Sequence, residues 1–173
     1  MRVEIERAAP SQRPVLENLA SLYLHDFSEV FRDPPGPDGR FVYERLPLYF
    51  REAGRTPFLV RADGRLAGFA LVSRGSVISG AADVFDLSEF FVVRGLRRTG
   101  VGSTAAAAVF SAFPGAWEVR ALERNPGAAA FWAQAISRHT AGDFQVAPWQ
   151  SAPDLSWQVF RFVQPGTGAP AET

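Results

Sequence analysis

A stretch rich in arginine and glycine has the residue types and spacing of an anion-binding turn. Residues 89–110, EFFVVRGLRRTGVGSTAAAAVF, pass from an apolar strand-like run through arginines and glycines into an alanine-rich segment. The first N–H groups of a helix have no partner within the helix, and the helix dipole favours negative charge there. Glycines let the backbone approach phosphate oxygens closely. The stretch therefore predicts a phosphate-binding turn at the start of a helix.

The nucleotide P-loop is the first pattern that partly fits this turn. Gly95 and Gly100 have the spacing of G-x-x-x-x-G-K-[ST]. Val101 stands where that pattern needs lysine, and all 18 basic residues of the chain are arginine. Since the lysine holds the terminal phosphates, we reject a P-loop.

The dinucleotide fingerprint is the second pattern. Gly100, Gly102 and Ala105 match G-x-G-x-x-A, and Glu118 lies near the distance expected of a ribose contact. That fingerprint follows its strand tightly in the opening βαβ unit of a larger fold. Here residues 94–99 separate the strand from the first glycine of the motif. The motif also comes after 93 residues of other structure and not in an opening βαβ unit. An ordinary strand-to-helix turn is a further reading, but it leaves the two adjacent arginines unexplained.

The third pattern, R/Q-x-x-G-x-G/A, matches residues 97–102, RRTGVG, without a gap. This is the pyrophosphate loop of the GCN5-related N-acetyltransferase (GNAT) superfamily, which the chain resembles over roughly residues 2–163. EFFVVRGLRRTGVG is similar to its fourth strand and acyl-CoA loop, and NPGAAAFW (125–132) to the start of its fourth helix. The resemblance implies acetyl-CoA (coenzyme A) as cofactor and transfer of an acetyl group to a primary amine.

The resemblance also implies which residues hold the cofactor. The fourth strand's backbone would pair with the pantetheine arm, and a backbone N–H near Val92 would meet the oxyanion. The amides of residues 98–102 would bind the pyrophosphate, with charged contacts from Arg97 and Arg98. The expected cofactor residues are Phe91, Val92, Val93, Arg97, Arg98, Thr99, Gly100, Val101, Gly102, Ser103, Asn125 and Trp132.

Glu89 is the predicted general base. It shares a strand face with Leu87, Phe91 and Val93, so it lies in a run that otherwise reads as buried. Partial burial of a carboxylate raises its pKa toward the useful range. Several members of the superfamily have a glutamate in this place, which works directly or through water. The alternative is a structural glutamate paired with a nearby arginine.

Two positions near the later helix have both a functional and a structural reading. Asn125 matches an asparagine that contacts the pantetheine region, and before Pro126 it is also a good N-cap. Trp132 stands where the superfamily usually has tyrosine, the proposed acid for the leaving thiolate. Indole N–H is too weak an acid for that step, so the thiolate leaves unprotonated, another hydroxyl serves, or catalysis is impaired. Trp132 then walls the thioester pocket or belongs to the core, and a non-catalytic acyl-CoA-binding or sensor domain is the alternative function.

The acceptor is expected to be the amine of a small molecule or a peptide N-terminus. In the superfamily its pocket comes from the first two helices, their connection and the last hairpin. Asp26 and Glu29 would favour a cationic amine, although a solvated helix face explains them equally well. His25 is a candidate accessory base. The expected lining residues are Tyr23, Asp26, Phe27, Phe41 and Tyr43.

Apolar spacing and turn residues predict the elements that position these groups. The expected class is α+β (mixed α/β), a single GNAT-type domain with a central mixed sheet of six or seven strands flanked by about four helices. The predicted order is β-α-α-β-β-β-α-β-α-β-β, and the parallel fourth and fifth strands are expected to splay apart. Strands are predicted at 2–7, in a hairpin over 58–72 around Asp63-Gly64, and at 83–93, 116–122, 143–147 and 156–163. Helices are predicted from Pro10-Ser11, over 42–53, from Val101 and from Pro126 to about 138.

Composition limits the remaining classes. Formal net charge is zero, so no long-range field attracts nucleic acid or an acidic membrane. The chain has no Cys and two His, so disulfides and thiolate sites are excluded and no metal site is expected. Without a signal-peptide pattern or an apolar run of roughly 18 residues, a cytoplasmic location is expected. We expect one domain over 1–164, a disordered tail over 165–173, and, by analogy with the superfamily, a homodimer.

Overall fold

A computed structural model describes residues 1–166 of the chain as a mixed α and β structure. Seven strands and three α-helices follow the order β-α-β-β-β-α-β-α-β-β. The strands are Val3–Arg7 (β1), Arg55–Ala62 (β2), Arg65–Arg74 (β3), Phe85–Val92 (β4), Gly115–Leu122 (β5), Gln145–Ala152 (β6) and Leu155–Gln164 (β7). The helices are Arg13–Phe31 (α1), Val101–Ser111 (α2) and Pro126–Thr140 (α3).

The strands form one mixed sheet, as predicted, with the order β1-β2-β3-β4-β5-β7-β6. β4 and β5 are parallel, and their register pairs Phe85 with Trp117 and Leu87 with Val119. A parallel pair needs a crossover, which α2 supplies. The β2–β3 hairpin turns at Asp63 and Gly64, which have φ of 48° and 76°. Two consecutive left-handed residues form the turn that matches strand twist, for which Asp-Gly is a strong signal.

The predicted second helix over 42–53 is wrong. The structure has a 3-10 turn there, Leu46–Phe50, so three α-helices are present among the described residues instead of four. Pro47 explains why no helix runs through 42–46, because proline has no N–H to bond the Tyr43 carbonyl and its ring would clash with that carbonyl. Gly54, at φ 85°, then reverses the chain toward β2.

The chain divides into two compact units, which we describe separately. The first contains Met1–Val72 and Glu89–Gly102. Its core lies between α1 and the strands, where Leu16, Phe69 and Phe91 are almost fully buried. The apolar side chains of α1 recur at three- and four-residue spacing, so one stripe of the helix reaches this core. The first unit holds the predicted base and most of the predicted cofactor loop.

The second unit contains Ser73–Ser88 and the chain from Ser103 onward. Its core is aromatic, and Phe110 of α2 contacts Trp117 of β5 and Phe162 of β7 at ring-centroid distances of 5.0 and 4.9 Å. Pro165 and Gly166 have no regular structure, and the rest of the predicted tail, 167–173, lies outside the described residues. Within residues 1–166 no helix has both the length and the apolar character to cross a membrane.

Candidate active site

The connection from β4 to α2 is a tight, exposed turn ending at a helix N-terminus. A 3-10 turn, Arg94–Leu96, follows β4, and the hydroxyl of Thr99 donates to the Leu96 carbonyl at 2.7 Å. Arg98 and Gly100 both have left-handed backbone, with φ of 62° and 92°. Left-handed residues in such a turn direct successive N–H groups to one side, which makes a concave anion site. The turn therefore has left-handed backbone at two positions of the RRTGVG motif, and its binding of pyrophosphate stays a prediction.

Two arginines of this turn pair with one carboxylate on α1. Arg94 Nη2 lies 2.8 Å from Oδ1 of Asp26, and Arg97 Nη2 pairs with its Oδ2. Burial works to raise the pKa of Asp26, but hydrogen bonds and charge from Arg97 and Arg94 outweigh it and lower that pKa. Asp26 therefore stays ionised and holds the turn against α1. An acceptor amine, the partner predicted for Asp26, would have to compete with both guanidinium groups.

Arg97 is also bound to the end of β4. Its Nε donates to the Val92 carbonyl at 2.9 Å, and its guanidinium lies over the Phe91 ring, 5.6 Å from the centroid. These contacts direct Arg97 toward the protein's own strand and helix. Arg98 is exposed beside it in the turn. The predicted phosphate contacts of both arginines stay predictions, and the geometry favours Arg98 for them.

Glu89 is half-buried in β4 and accepts hydrogen bonds from two tyrosines. The hydroxyl of Tyr23, on α1, donates to Oε2, and the hydroxyl of Tyr43 donates to Oε1 at 2.9 Å. The sequence analysis assigned both tyrosines to the acceptor pocket. The structure brings both to the predicted base, one hydroxyl on each carboxylate oxygen, while their place in an acceptor pocket stays a prediction.

The two tyrosines are held by different surroundings. Burial raises the pKa of Tyr43 strongly, and the neighbouring charge of Glu89 raises it further. Its hydroxyl therefore keeps its proton throughout the range in which enzymes work. The Tyr23 ring packs on Phe27 at 4.8 Å and edge-on to Phe69 at 5.6 Å. Both rings pack against the core of the first unit, so packing fixes the rings whose hydroxyls contact Glu89.

The connection after α1 carries Tyr43 to this position. It runs back along the helix, where the Phe41 N–H donates to Ser21 Oγ at 3.2 Å and the Phe41 ring lies 5.9 Å from His25. Farther back, the Arg40 guanidinium donates to Asn18 at 2.7 Å. Of the predicted acceptor residues, Phe41 therefore anchors the connection to α1. Phe27 stacks on Phe31 of the same helix at 5.8 Å.

A glycine in β3 allows β4 to approach closely where the predicted cofactor strand begins. A Cβ on Gly68 would lie 1.9 Å from the Phe91 carbonyl oxygen and 3.0 Å from the Val92 Cα. Real Cβ contacts are never that short, so this position requires glycine. The sequence analysis missed Gly68, although an isolated glycine inside a strand is a signal for close backbone approach.

The remaining predicted cofactor residues belong to the second unit. Asn125 is an N-cap of α3, with its side chain accepting from the Ala128 N–H at 3.1 Å. Trp132 is buried beside Phe131 and Phe110, at 4.8 and 6.3 Å between ring centroids. Ser103 is half-buried in the first turn of α2. The structural readings of Asn125 and Trp132 thus have contacts of their own, while their cofactor roles stay predictions.

The second unit also contains a buried ionic network that the sequence analysis did not identify. Asp86 pairs with Arg120 at 2.8 Å, and Glu118 pairs with Arg161 at 2.9 Å. Burial raises the pKa of Asp86, while the charge of Arg120 and a hydrogen bond from Ser88 oppose that rise. Glu118, the ribose candidate of the dinucleotide fingerprint, is 4% exposed. Among residues 1–166 no group of three or more metal-ligating side chains converges.

Comparison with protein families identifies one match. The family model described as acetyltransferase (GNAT) family matches residues 16–135, which include most of α1, the β4–α2 turn and most of α3. No curated protein matches the chain.

Solved acetyltransferase structures share the fold over nearly the whole chain. An acetyltransferase from Thermus thermophilus is 19% identical with a TM-score of 0.70, covering 94% of this chain and 98% of its own. Spermidine N-acetyltransferase from Vibrio cholerae, in complex with CoA and spermine, is 10% identical with a TM-score of 0.64 and coverages of 94% and 95%. Ribosomal-protein-S18-alanine N-acetyltransferase from Escherichia coli is 11% identical with a TM-score of 0.62 and coverages of 99% and 100%. At these identities the likeness shows the fold.

Proposed function

Because the chain belongs to the GNAT acetyltransferase family, we propose that it is an acetyl-CoA-dependent N-acetyltransferase acting on a primary amine. The acceptor is a small molecule or a peptide N-terminus, and transfer takes place directly within a ternary complex. The observation that carries the proposal is the turn from β4 into α2, with left-handed backbone at Arg98 and Gly100. It places the N-terminus of a helix beside the end of a strand in one short segment.

The residues of this turn fit the cofactor. Residues 97–100 are exposed, and the amides that open α2 have no earlier helical carbonyl to bond. We assign the diphosphate to the amides of 98–102, helped by the exposed Arg98, and the pantetheine arm to the backbone of Phe91, Val92 and Val93. Bound acetyl-CoA supplies an acetyl thioester, which is the electrophile of the reaction. The predicted divergence of β4 from β5 is part of this proposal.

The chain's own groups have two tasks in this reaction. Glu89 accepts a proton from the acceptor ammonium, either directly or through one water, so that the nitrogen gains a free lone pair. A backbone N–H of β4 near Val92 stabilises the negative oxygen that develops on the carbonyl. The new C–N bond forms as the C–S bond breaks. The products are the amide, coenzyme A as its thiol and one proton released to solvent.

A screen of amines tests the proposed activity. Release of CoA thiol is measured with acetyl-CoA and a panel of amines, and product mass confirms the transfer. The panel includes a polyamine and a peptide with N-terminal alanine, because two structural neighbours are named for such acceptors. We expect thiol release that depends on at least one amine. Cofactor binding without transfer to any amine would refute catalysis, and no binding at millimolar acetyl-CoA would refute the cofactor site.

Glu89→Gln tests the assignment of the base. A general base contributes about 10²- to 10⁴-fold, so kcat/KM should fall by about 10²-fold or more at neutral pH. The dissociation constant for acetyl-CoA should stay within about twofold, since Glu89 is not assigned to the cofactor. Glu17→Gln is the control, because Glu17 pairs with Arg13 on the exposed side of α1. Equal turnover of Glu89→Gln and wild type at every pH would dismiss Glu89 as the base.

A further inference from the structure

The contacts of Glu89 with two tyrosines assign these tyrosines a role beyond the acceptor pocket. We propose that Tyr23 and Tyr43 are positioning residues, whose hydroxyls hold the Glu89 carboxylate ionised and in one orientation for proton abstraction. The inference rests on the proposed function, in which Glu89 is the base. The proposal adds the two hydroxyl groups that fix the orientation of the Glu89 carboxylate on β4.

Two hydrogen bonds fix the orientation of the Glu89 carboxylate. A carboxylate has about four lone-pair sites. The two tyrosines use one on each oxygen, since Tyr23 donates to Oε2 and Tyr43 to Oε1. The carboxylate therefore cannot rotate without losing a hydrogen bond. Two donors from separate elements specify its direction better than one would.

The surroundings keep the Tyr43 hydroxyl in the donor state. Tyr43 is strongly biased toward its protonated form by burial and by the charge of Glu89. Because burial raises the pKa of Tyr43 well beyond that of an ordinary phenol, Tyr43 is a poor acid for a leaving thiolate. Tyr43 therefore does not replace the acid that is missing at Trp132. It is a permanent donor to the carboxylate.

Other charged groups lie near this cluster. On α1, Asp26 lies one turn beyond Tyr23, and its charge is paired with Arg94 and Arg97. On the Tyr43 side, Tyr49 works to raise the pKa of Tyr43 and Arg45 works to lower it. Hydrogen bonds to the ionised form favour that form. Removing either hydroxyl should therefore extend the protonated state of Glu89 to higher pH.

Tyr23→Phe and Tyr43→Phe test the role, with Tyr49→Phe as the matched control. The chain has three tyrosines, and the ring of Tyr49 packs in the same core, 5.2 Å from the Arg55 guanidinium. We expect each of the first two variants to lower kcat about tenfold, with acetyl-CoA KM within twofold. The acidic limb of the pH–rate profile should move to higher pH. Tyr49→Phe should keep the wild-type profile.

Non-additivity separates positioning from a general loss of packing. If the tyrosines act through Glu89, adding Tyr43→Phe to Glu89→Gln should lower kcat no further. A further tenfold loss in the double variant, or an unchanged pH profile in both single variants, would overturn the proposal.

A measurement that keeps all three tyrosines covers the case in which the Tyr→Phe variants do not fold. The three tyrosines are labelled with 3-fluorotyrosine, and their ¹⁹F resonances are compared between wild type and Glu89→Gln. We expect two resonances to move and the Tyr49 resonance to stay. Unmoved resonances would overturn the proposal. This readout needs no acetyl transfer, so a failed amine screen with two moved resonances would count against the proposed function alone.

Discussion

Gly68→Ala should damage both the fold and the cofactor strand, because it forces β3 and β4 apart at Phe91. The added methyl would begin 1.9 Å from the Phe91 carbonyl oxygen, and contacts under 3.0 Å require a shift, so the strands must separate by about 1 Å. The contacted atoms are backbone, so no side chain can rotate away. Overpacking of a buried site costs about 1–3 kcal/mol. In a chain of this size each kcal/mol lowers Tm by about 2–4 °C.

The same displacement should reach the reaction. Phe91 and Val92 are the residues assigned to the pantetheine arm and the oxyanion, and a misplacement of 1 Å costs up to about 10²-fold in rate. Thermal unfolding, urea unfolding and acetyl transfer are measured on the same preparation. We expect a lower Tm together with at least a tenfold fall in kcat/KM.

Gly127→Ala is the matched control for Gly68→Ala. Gly127 lies in the first turn of α3, and the nearest atom to an added Cβ is Asn125 Oδ1, at an ordinary 3.7 Å. Alanine is favoured over glycine in a helix by roughly 0.5–1 kcal/mol, so this variant should be slightly more stable than wild type. If both variants had the Tm and turnover of wild type, the inferred close approach of β3 and β4 would be refuted.

Two ionic sites yield further predictions. The pKa of Asp26 is lowered in the fold, so its stabilisation is present above the unfolded value of about 3.9 and lost as pH falls below it. Between pH 7 and a pH below about 4, the free energy of unfolding measured with urea should therefore fall less for Asp26→Asn than for wild type. An equal fall in both proteins would contradict the pairing with Arg94 and Arg97. Arg120→Met should cost about 3–5 kcal/mol in urea unfolding at pH 7, because it strands Asp86 as a buried charge. The double variant with Asp86→Asn should recover part of that loss, and a cost under about 1 kcal/mol for Arg120→Met alone would count against a buried ion pair.

Local sequence signals predicted the parts of the fold that depend on neighbouring residues. The hairpin at Asp63-Gly64 follows from the backbone preferences of those two residues, and the cap of α3 follows from Asn125 before Pro126. The turn at 97–102 was found because its glycines and its helix start are contiguous in the chain. The prediction of a helix over 42–53 was wrong, because apolar spacing there is compatible with a helix but Pro47 is not compatible with a helix interior.

The contacts that build the candidate site come from distant parts of the chain, which spacing cannot reveal. Tyr23 and Tyr43 lie 66 and 46 residues from Glu89, and Asp26 lies 71 residues from Arg97. From the sequence, Tyr23, Tyr43 and Asp26 were each predicted to line an acceptor pocket. Only the tertiary structure shows that both tyrosines contact Glu89 and that Asp26 pairs with two arginines of the turn.

The central claim is that the amides at the start of α2 bind the diphosphate of coenzyme A. An NMR titration of ¹⁵N-labelled protein tests it directly, with CoA in one series and pantetheine, which lacks the diphosphate, in the other. We predict that CoA shifts the amide signals of residues 98–102 and that pantetheine leaves them in place. Binding of CoA that leaves these amide signals unmoved would contradict the account.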